Sequence, residues 1–85
     1  MEEKKNKSTF DRIKRKISYV MMSGKEEEIK LEATLKDDLG LDQLDIRELG
    51  IQIEKEFNIP IPDDEAQELK TVKQIVDFVE AHITH

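Results

Sequence analysis

The sequence predicts an all-α fold, an antiparallel bundle of three long helices and one short helix. Apolar residues recur every three or four positions in three segments, which is the spacing of one face of an α-helix. Residues suited to helix ends border these segments, and two prolines follow the second one. Hydrophobic residues make up 36% of the 85 residues and aromatic residues only 5%. The chain can therefore build one small, mainly aliphatic core.

The first predicted helix begins near Thr9 and is ended by Ser23 and Gly24. The apolar positions of its inner face are Phe10, Ile13, Ile17, Val20 and Met21. Between residues 25 and 41 this spacing is lost, although apolar residues still recur about every second position. A lone strand would have no partner in the chain, so we expect a long ordered loop that packs on the core.

The second helix is predicted from Asp42 to Phe57. Asp42 is a good N-cap, and Asp45 three positions later provides a near capping box. Asn58 can adopt the left-handed C-cap conformation, and the prolines that follow prevent the helix from continuing. The apolar residues that carry its helical spacing are Leu44, Ile46, Leu49, Ile53 and Phe57.

Two further helices are predicted after the prolines. Asp63 can cap a short third helix, with Ala66 facing inward. Thr71 and Gln74 match a capping box at the start of the fourth helix. The apolar face of that helix consists of Val72, Ile75, Val76, Val79 and Ile83.

The charge distribution restricts the classes of partner. The net charge is -6, and residues 37–68 hold two basic and eleven acidic residues. Such an acidic segment would repel nucleic acid and favours proteins with basic docking surfaces. The charged residues 1–8 have nothing to bury, so we expect a flexible N-terminal tail before a helical domain at 9–85. The absence of cysteine fits a cytoplasmic protein, and no apolar run is long enough for a membrane span.

Four basic residues lie close together in the first predicted helix, at Arg12, Lys14, Arg15 and Lys16. They could indicate contact with a membrane surface or nucleic acid. They flank an apolar face that the bundle needs for its core, so a solvated outer face is the favoured interpretation.

The sequence offers no enzyme site. Asp42, Asp45 and Glu48 recur every three residues and could suggest a metal site, but no His or Cys lies near them in sequence. Carboxylates at this position are typical of a capped, solvated helix start that serves in docking. A nucleophile, a base and an orienting group cannot be assembled from the residue types present, so we predict a protein that is not an enzyme.

The chain resembles the acyl carrier protein family from Thr9 to its end, and most closely from Asp37 to Thr71. The resemblance is carried by several short motifs: Leu39-Gly40, Leu44-Asp45, Glu48-Leu49, Glu56-Phe57 and Ile61-Pro62-Asp63. The family has a Ser at the position of Gln43, and phosphopantetheine is esterified to its hydroxyl. An amide nitrogen is not a comparable nucleophile. The resemblance therefore implies a carrier fold with no prosthetic group, unless the natural residue at position 43 is Ser.

The resemblance also implies a docking surface on the second helix. The predicted partner-binding residues are Asp42, Leu44, Asp45, Arg47, Glu48 and Ile51. Arg47 stands where the family usually has an apolar residue, and Gly50 is an unusual mid-helix glycine. We expect an acidic, carrier-like protein of fatty acid, polyketide or related lipid metabolism that acts through protein contacts. Two alternatives are an ordinary acyl carrier protein whose Ser is replaced by Gln, and an adaptor unrelated to acyl chemistry that reuses the fold.

Overall fold

The computed structural model describes residues 9–22 and 28–83. It contains the helices α1 (Thr9–Met21), α2 (Gln43–Phe57), α3 (Asp63–Glu68) and α4 (Val72–Ile83). The predicted all-α fold with three long helices and one short helix is confirmed. The expected flexible tail at 1–8 and the helix end at Ser23 and Gly24 lie outside the described residues. No helix in the described part of the chain is long and apolar enough to cross a membrane.

Helix α1 packs against both α2 and α4. Ile13 and Ile17 are fully buried, as the spacing predicts, because they lie on the face between those two helices. Ser18, the next residue, is buried as well. The helix ends at Met21, and Met22 adopts a left-handed conformation with φ of 59°. This left-handed residue at the helix end was not anticipated, because Gly or Asn is the usual residue there.

The basic residues of α1 form a solvated outer face only in part, because Arg12 and Lys16 pair with a carboxylate of α2. The Arg12 guanidinium lies 2.7 Å from the Glu56 carboxylate of α2 and 4.4 Å above the Phe57 ring. The Lys16 ammonium lies 3.6 Å from the same carboxylate. Of the four, Arg15 is exposed and the other three are half-buried. Because Arg12 is near the start of α1 and Glu56 near the end of α2, this contact joins those two helix ends.

The segment between α1 and α2 is an ordered loop over its described part, as expected. Its side chains that reach the core are Ile29, Ala33, Leu35 and Leu41. The loop nevertheless has a backbone partner, contrary to the prediction that a strand here would have none. Thr34 forms an antiparallel bridge with Thr71, and the Leu35 N–H donates to the Lys70 carbonyl at 2.9 Å. The partner is the short stretch before α4, which carries no strand pattern of its own.

The helix ends largely follow the predicted caps. The Asp42 carboxylate accepts the Asp45 N–H at 2.9 Å, and the Asp45 carboxylate accepts the Asp42 N–H at 3.1 Å. Asn58 takes the left-handed conformation with φ of 58°. The N-cap of α3 is Pro62, however, and Asp63 is the first helical residue, so the prediction of Asp63 as the cap is wrong. The φ near −60° that proline imposes suits the entry into this short helix.

The fourth helix begins as predicted. The Thr71 hydroxyl accepts the Gln74 N–H at 3.1 Å, and the Gln74 side-chain carbonyl accepts the Thr71 N–H at 3.2 Å. These two hydrogen bonds satisfy backbone donors that the helix cannot satisfy itself. Thr71 both bridges to the loop and caps α4, so the helix begins directly after the bridge.

Candidate functional site

The candidate site is the start of α2, where Gln43 is the first helical residue and is exposed. The capping box holds its backbone, and a contact from α3 adds to it. The Gln67 side-chain amide donates to the Gln43 carbonyl at 3.0 Å and to the Asp63 carboxylate at 3.1 Å. Gln67 was not predicted as a site residue, because no local pattern shows that a residue 24 positions away reaches this turn. The site therefore rests on two helices and not on α2 alone.

The side chains around Gln43 do not fit covalent attachment of phosphopantetheine, the group that the resemblance implies. Attachment needs a nucleophilic oxygen, and residues 41–45 contain Leu, Asp and Gln but no hydroxyl. The start of α2 therefore presents an amide at the position where the resemblance places the family's hydroxyl.

The predicted acidic residues lie together at the exposed start of α2. Asp42 and Asp45 each use one carboxylate oxygen in the capping box. The Glu48 carboxylate accepts the Gln52 side-chain amide at 2.8 Å. No cluster of His, Cys, Asp and Glu among the described residues is suited to hold a metal ion. The three carboxylates thus form an acidic surface, exposed at Asp42 and Glu48, whose geometry is set by the cap and by Gln52.

Three other predicted partner-binding residues lie on a separate strip of α2, which we call the Arg47 stripe: Leu44, Arg47 and Ile51. The side chain of Leu44 is 71% exposed and that of Ile51 is 38% exposed. Arg47 is exposed too. Residues three and four positions apart on a helix lie on one face, so these side chains are neighbours. The structure thus presents one aliphatic side chain on each side of the Arg47 cation.

A cavity of about 180 Å³ lies beside this helix start. Its apolar floor consists of Leu35, Ile46 and Leu69, and its rim contains Thr34, Lys36, Asp37, Gln67 and Lys70. Deeper between α2 and α3 the apolar core leaves a cavity of only about 10 Å³. That volume is about one water molecule. Of these two spaces, the one at the edge of the bundle is therefore much the larger, and the apolar space between α2 and α3 is nearly filled.

Two comparisons with known proteins agree with this geometry. A family model described as a phosphopantetheine attachment site matches residues 11–79, which include the whole of α2. A solved structure from Mycobacterium tuberculosis, of a protein assigned as an acyl carrier protein, superposes with a TM-score of 0.80. Its sequence is 29% identical, and the match covers 89% of this chain and 100% of that chain.

Proposed function

This chain belongs to the acyl carrier protein family, and from that premise we propose that it has lost phosphopantetheine attachment and acts through protein contacts. Members of the family are carriers and not enzymes, so the proposed role is non-enzymatic. The observation that carries the proposal is Gln43, an exposed amide at the capped start of α2. The helix start is complete, yet it lacks the hydroxyl that attachment requires.

The proposed docking surface is the first half of α2, with its acidic residues and the Arg47 stripe. Leu44 supports this assignment, because an aliphatic side chain that is 71% exposed gains free energy when a partner covers it. We propose cytoplasmic partners with basic docking surfaces, such as enzymes of fatty acid, polyketide or related lipid metabolism. The acids would guide such partners by long-range attraction.

The loss of attachment is tested by intact-mass measurement. The purified protein is incubated with coenzyme A and a phosphopantetheinyl transferase of broad specificity, and we expect its mass to stay unchanged. Gln43→Ser is the matched variant, and we expect at least part of it to gain the mass of phosphopantetheine. An added group on the protein with Gln43 would overturn the proposal.

The docking surface is tested with a partner isolated by pull-down, its affinity then measured with purified proteins. We expect Leu44→Ala and Glu48→Lys each to weaken binding about tenfold, the effect of losing about 1.4 kcal/mol. Ile83→Ala on α4 is the control, because Ile83 is an aliphatic residue with 41% exposure outside α2. Circular dichroism verifies the fold of each variant. Unchanged affinity in both α2 variants would exclude this surface.

An ordinary acyl carrier protein with Ser replaced by Gln is the second candidate. It is favoured by the intact capping box, which would present a Ser at position 43 in the same exposed place. Complete modification of Gln43→Ser would support this candidate. Partial or absent modification would indicate that the recognition surface has diverged further, with Arg47 the first residue to examine.

A further inference from the structure

The exposed surface of α2 divides into two strips with different chemistry. The acidic strip contains Asp45, Glu48 and Gln52, which are spaced three and four residues apart; Glu48 is exposed and the other two are half-buried. Asp45 uses one carboxylate oxygen in the capping box, and Glu48 uses one to accept the Gln52 amide at 2.8 Å. The Arg47 stripe lies beside it and is apolar on both sides of its cation.

Arg47 has no carboxylate within reach along its own helix. Its neighbours at three and four positions are Gln43, Leu44, Gly50 and Ile51, none of which is acidic. Glu54, two turns away, is engaged elsewhere through the Ile61 N–H at 3.4 Å. Arg47 forms no ion pair or hydrogen bond with any described residue. This is notable in a segment with eleven acidic residues and two basic ones.

The two exposed aliphatic residues would be buried by any partner that covers this stripe, and the guanidinium between them would lose its water. Loss of water from a charged group is strongly unfavourable unless an opposite charge replaces the water. A carboxylate is the natural replacement, because it accepts two parallel hydrogen bonds from a guanidinium. A basic group at this point would be repelled and left unpaired.

We infer that the Arg47 stripe docks a protein surface that carries a carboxylate between two apolar contact positions. This inference rests on the proposed docking role of α2 and deepens it, because it specifies the partner's chemistry at Arg47. The partner has mixed charge: basic groups face the acidic strip, and an acid faces Arg47. Such a pattern separates the partners of this chain from surfaces that are basic throughout.

The test uses a display library of amphipathic helical peptides about four turns long, with randomised apolar and charged positions. The library is selected against the wild-type protein, and the enriched peptides are synthesised and measured by titration. We expect enrichment of Asp or Glu between two apolar positions. Replacing that acid with Gln or Asn should weaken binding to the wild type about tenfold, whereas binding to Arg47→Met should change less than threefold.

Arg15→Met is the matched control, because Arg15 is an exposed arginine on α1 with no ion pair to a described residue. Replacing the peptide's acid with Gln or Asn should weaken binding to this variant as much as it weakens binding to the wild type. Peptides that lose affinity with Leu44→Ala but show no preference for an acid would overturn the inference and leave the α2 docking surface intact.

Two further outcomes are decisive. Enriched peptides indifferent to Leu44→Ala and Ile51→Ala, or no enrichment at all, would overturn the inference together with the docking role of α2. Sedimentation analysis of the wild type and Arg47→Met tests whether the Arg47 stripe binds a second copy of this chain. A dimer of the wild type that Arg47→Met dissociates would overturn the assignment to a different protein.

Discussion

Gly50 in α2 is explained by its contact with Ala66 in α3, a residue distant in sequence. A glycine inside a helix costs about 1 kcal/mol relative to alanine, so its presence in α2 needs a reason. A Cβ at Gly50 would lie 3.1 Å from the Cβ of Ala66 and 3.9 Å from Ile61. The glycine therefore allows α3 to approach α2 closely, and this approach helps to close the core.

We predict that Gly50→Ala fails to give the stabilisation of about 1 kcal/mol expected inside a helix, because the new methyl group crowds Ala66. In the Ala66→Gly variant, Gly50→Ala should raise the free energy of unfolding by about 1 kcal/mol more than it does in the wild type. Urea denaturation of the two single variants and the double variant measures this coupling. If Gly50→Ala stabilised the wild type and the Ala66→Gly variant equally, α3 would be shown to move away from the new methyl group at no cost in free energy.

Ser18 is the buried polar residue of the described core, with 5% exposure. Its hydroxyl makes no hydrogen bond to any described residue, and an unpaired buried polar group is unfavourable by about 1–3 kcal/mol. We predict that Ser18→Ala raises the free energy of unfolding by about 1 kcal/mol, also because alanine is the better helix former. Thermal and urea unfolding check this change. A loss of stability would show that the hydroxyl is hydrogen-bonded in solution.

At the scale of the elements, the seam between α1 and α2 depends on Glu56. The hydrogen bond from Arg12 lowers the pKa of the Glu56 carboxyl below its ordinary value, burial opposes this shift, and the charges of Arg12 and Lys16 add to it. A carboxyl whose pKa is lowered by folding stabilises the fold above its unfolded pKa. That stabilisation is lost as the pH falls through the pKa of the folded state.

We predict that Arg12→Met lowers the free energy of unfolding by about 1 kcal/mol at neutral pH. The difference from wild type should shrink as the pH falls below the ordinary value of 4.5, because protonated Glu56 no longer attracts Arg12. Urea denaturation from pH 3 to pH 7 measures this difference in the free energy of unfolding. Arg15→Met, at an exposed arginine of the same helix, is the matched control. A difference that is independent of pH would assign the role of Arg12 to its packing on Phe57.

At the scale of the whole molecule, the acidic charge is poorly compensated. Of the acidic residues in the segment 37–68, Glu56 is the one that forms a salt bridge with a described residue. The remaining carboxylates accept hydrogen bonds from neutral groups or face solvent, as in the acidic α3. Their mutual repulsion opposes the compact state.

We predict that salt raises the thermal midpoint, because at 1 M ionic strength charges interact over only about 3 Å. A gain of about 1 kcal/mol corresponds to roughly 4–8 °C for a domain of this size. Neutralising α3 with Asp64→Asn, Glu65→Gln and Glu68→Gln should reduce the response to salt. A midpoint indifferent to salt would show that repulsion among these acids does not limit stability. Calorimetry at increasing salt concentration measures both proteins.

The sequence by itself determined the helical elements and the chemistry at position 43. Helical spacing, the capping boxes at Asp42 and Thr71 and the stop at Asn58 were all confirmed, because each depends on residues at most four positions apart. The absence of a hydroxyl at Gln43 needs no structure to be recognised. The resemblance to the family added the identity of the fold, which the comparisons confirm.

Only the tertiary structure decided how distant segments meet. The contact of Gln67 with Gln43, the bridge from Thr34 to Thr71 and the close approach of Ala66 to Gly50 join residues with no mutual signal in sequence. The pairing of Arg12 with Glu56 is of the same kind. Packing brings these groups together because burial of the shared apolar core selects one arrangement of the helices, and the polar contacts then follow from that arrangement.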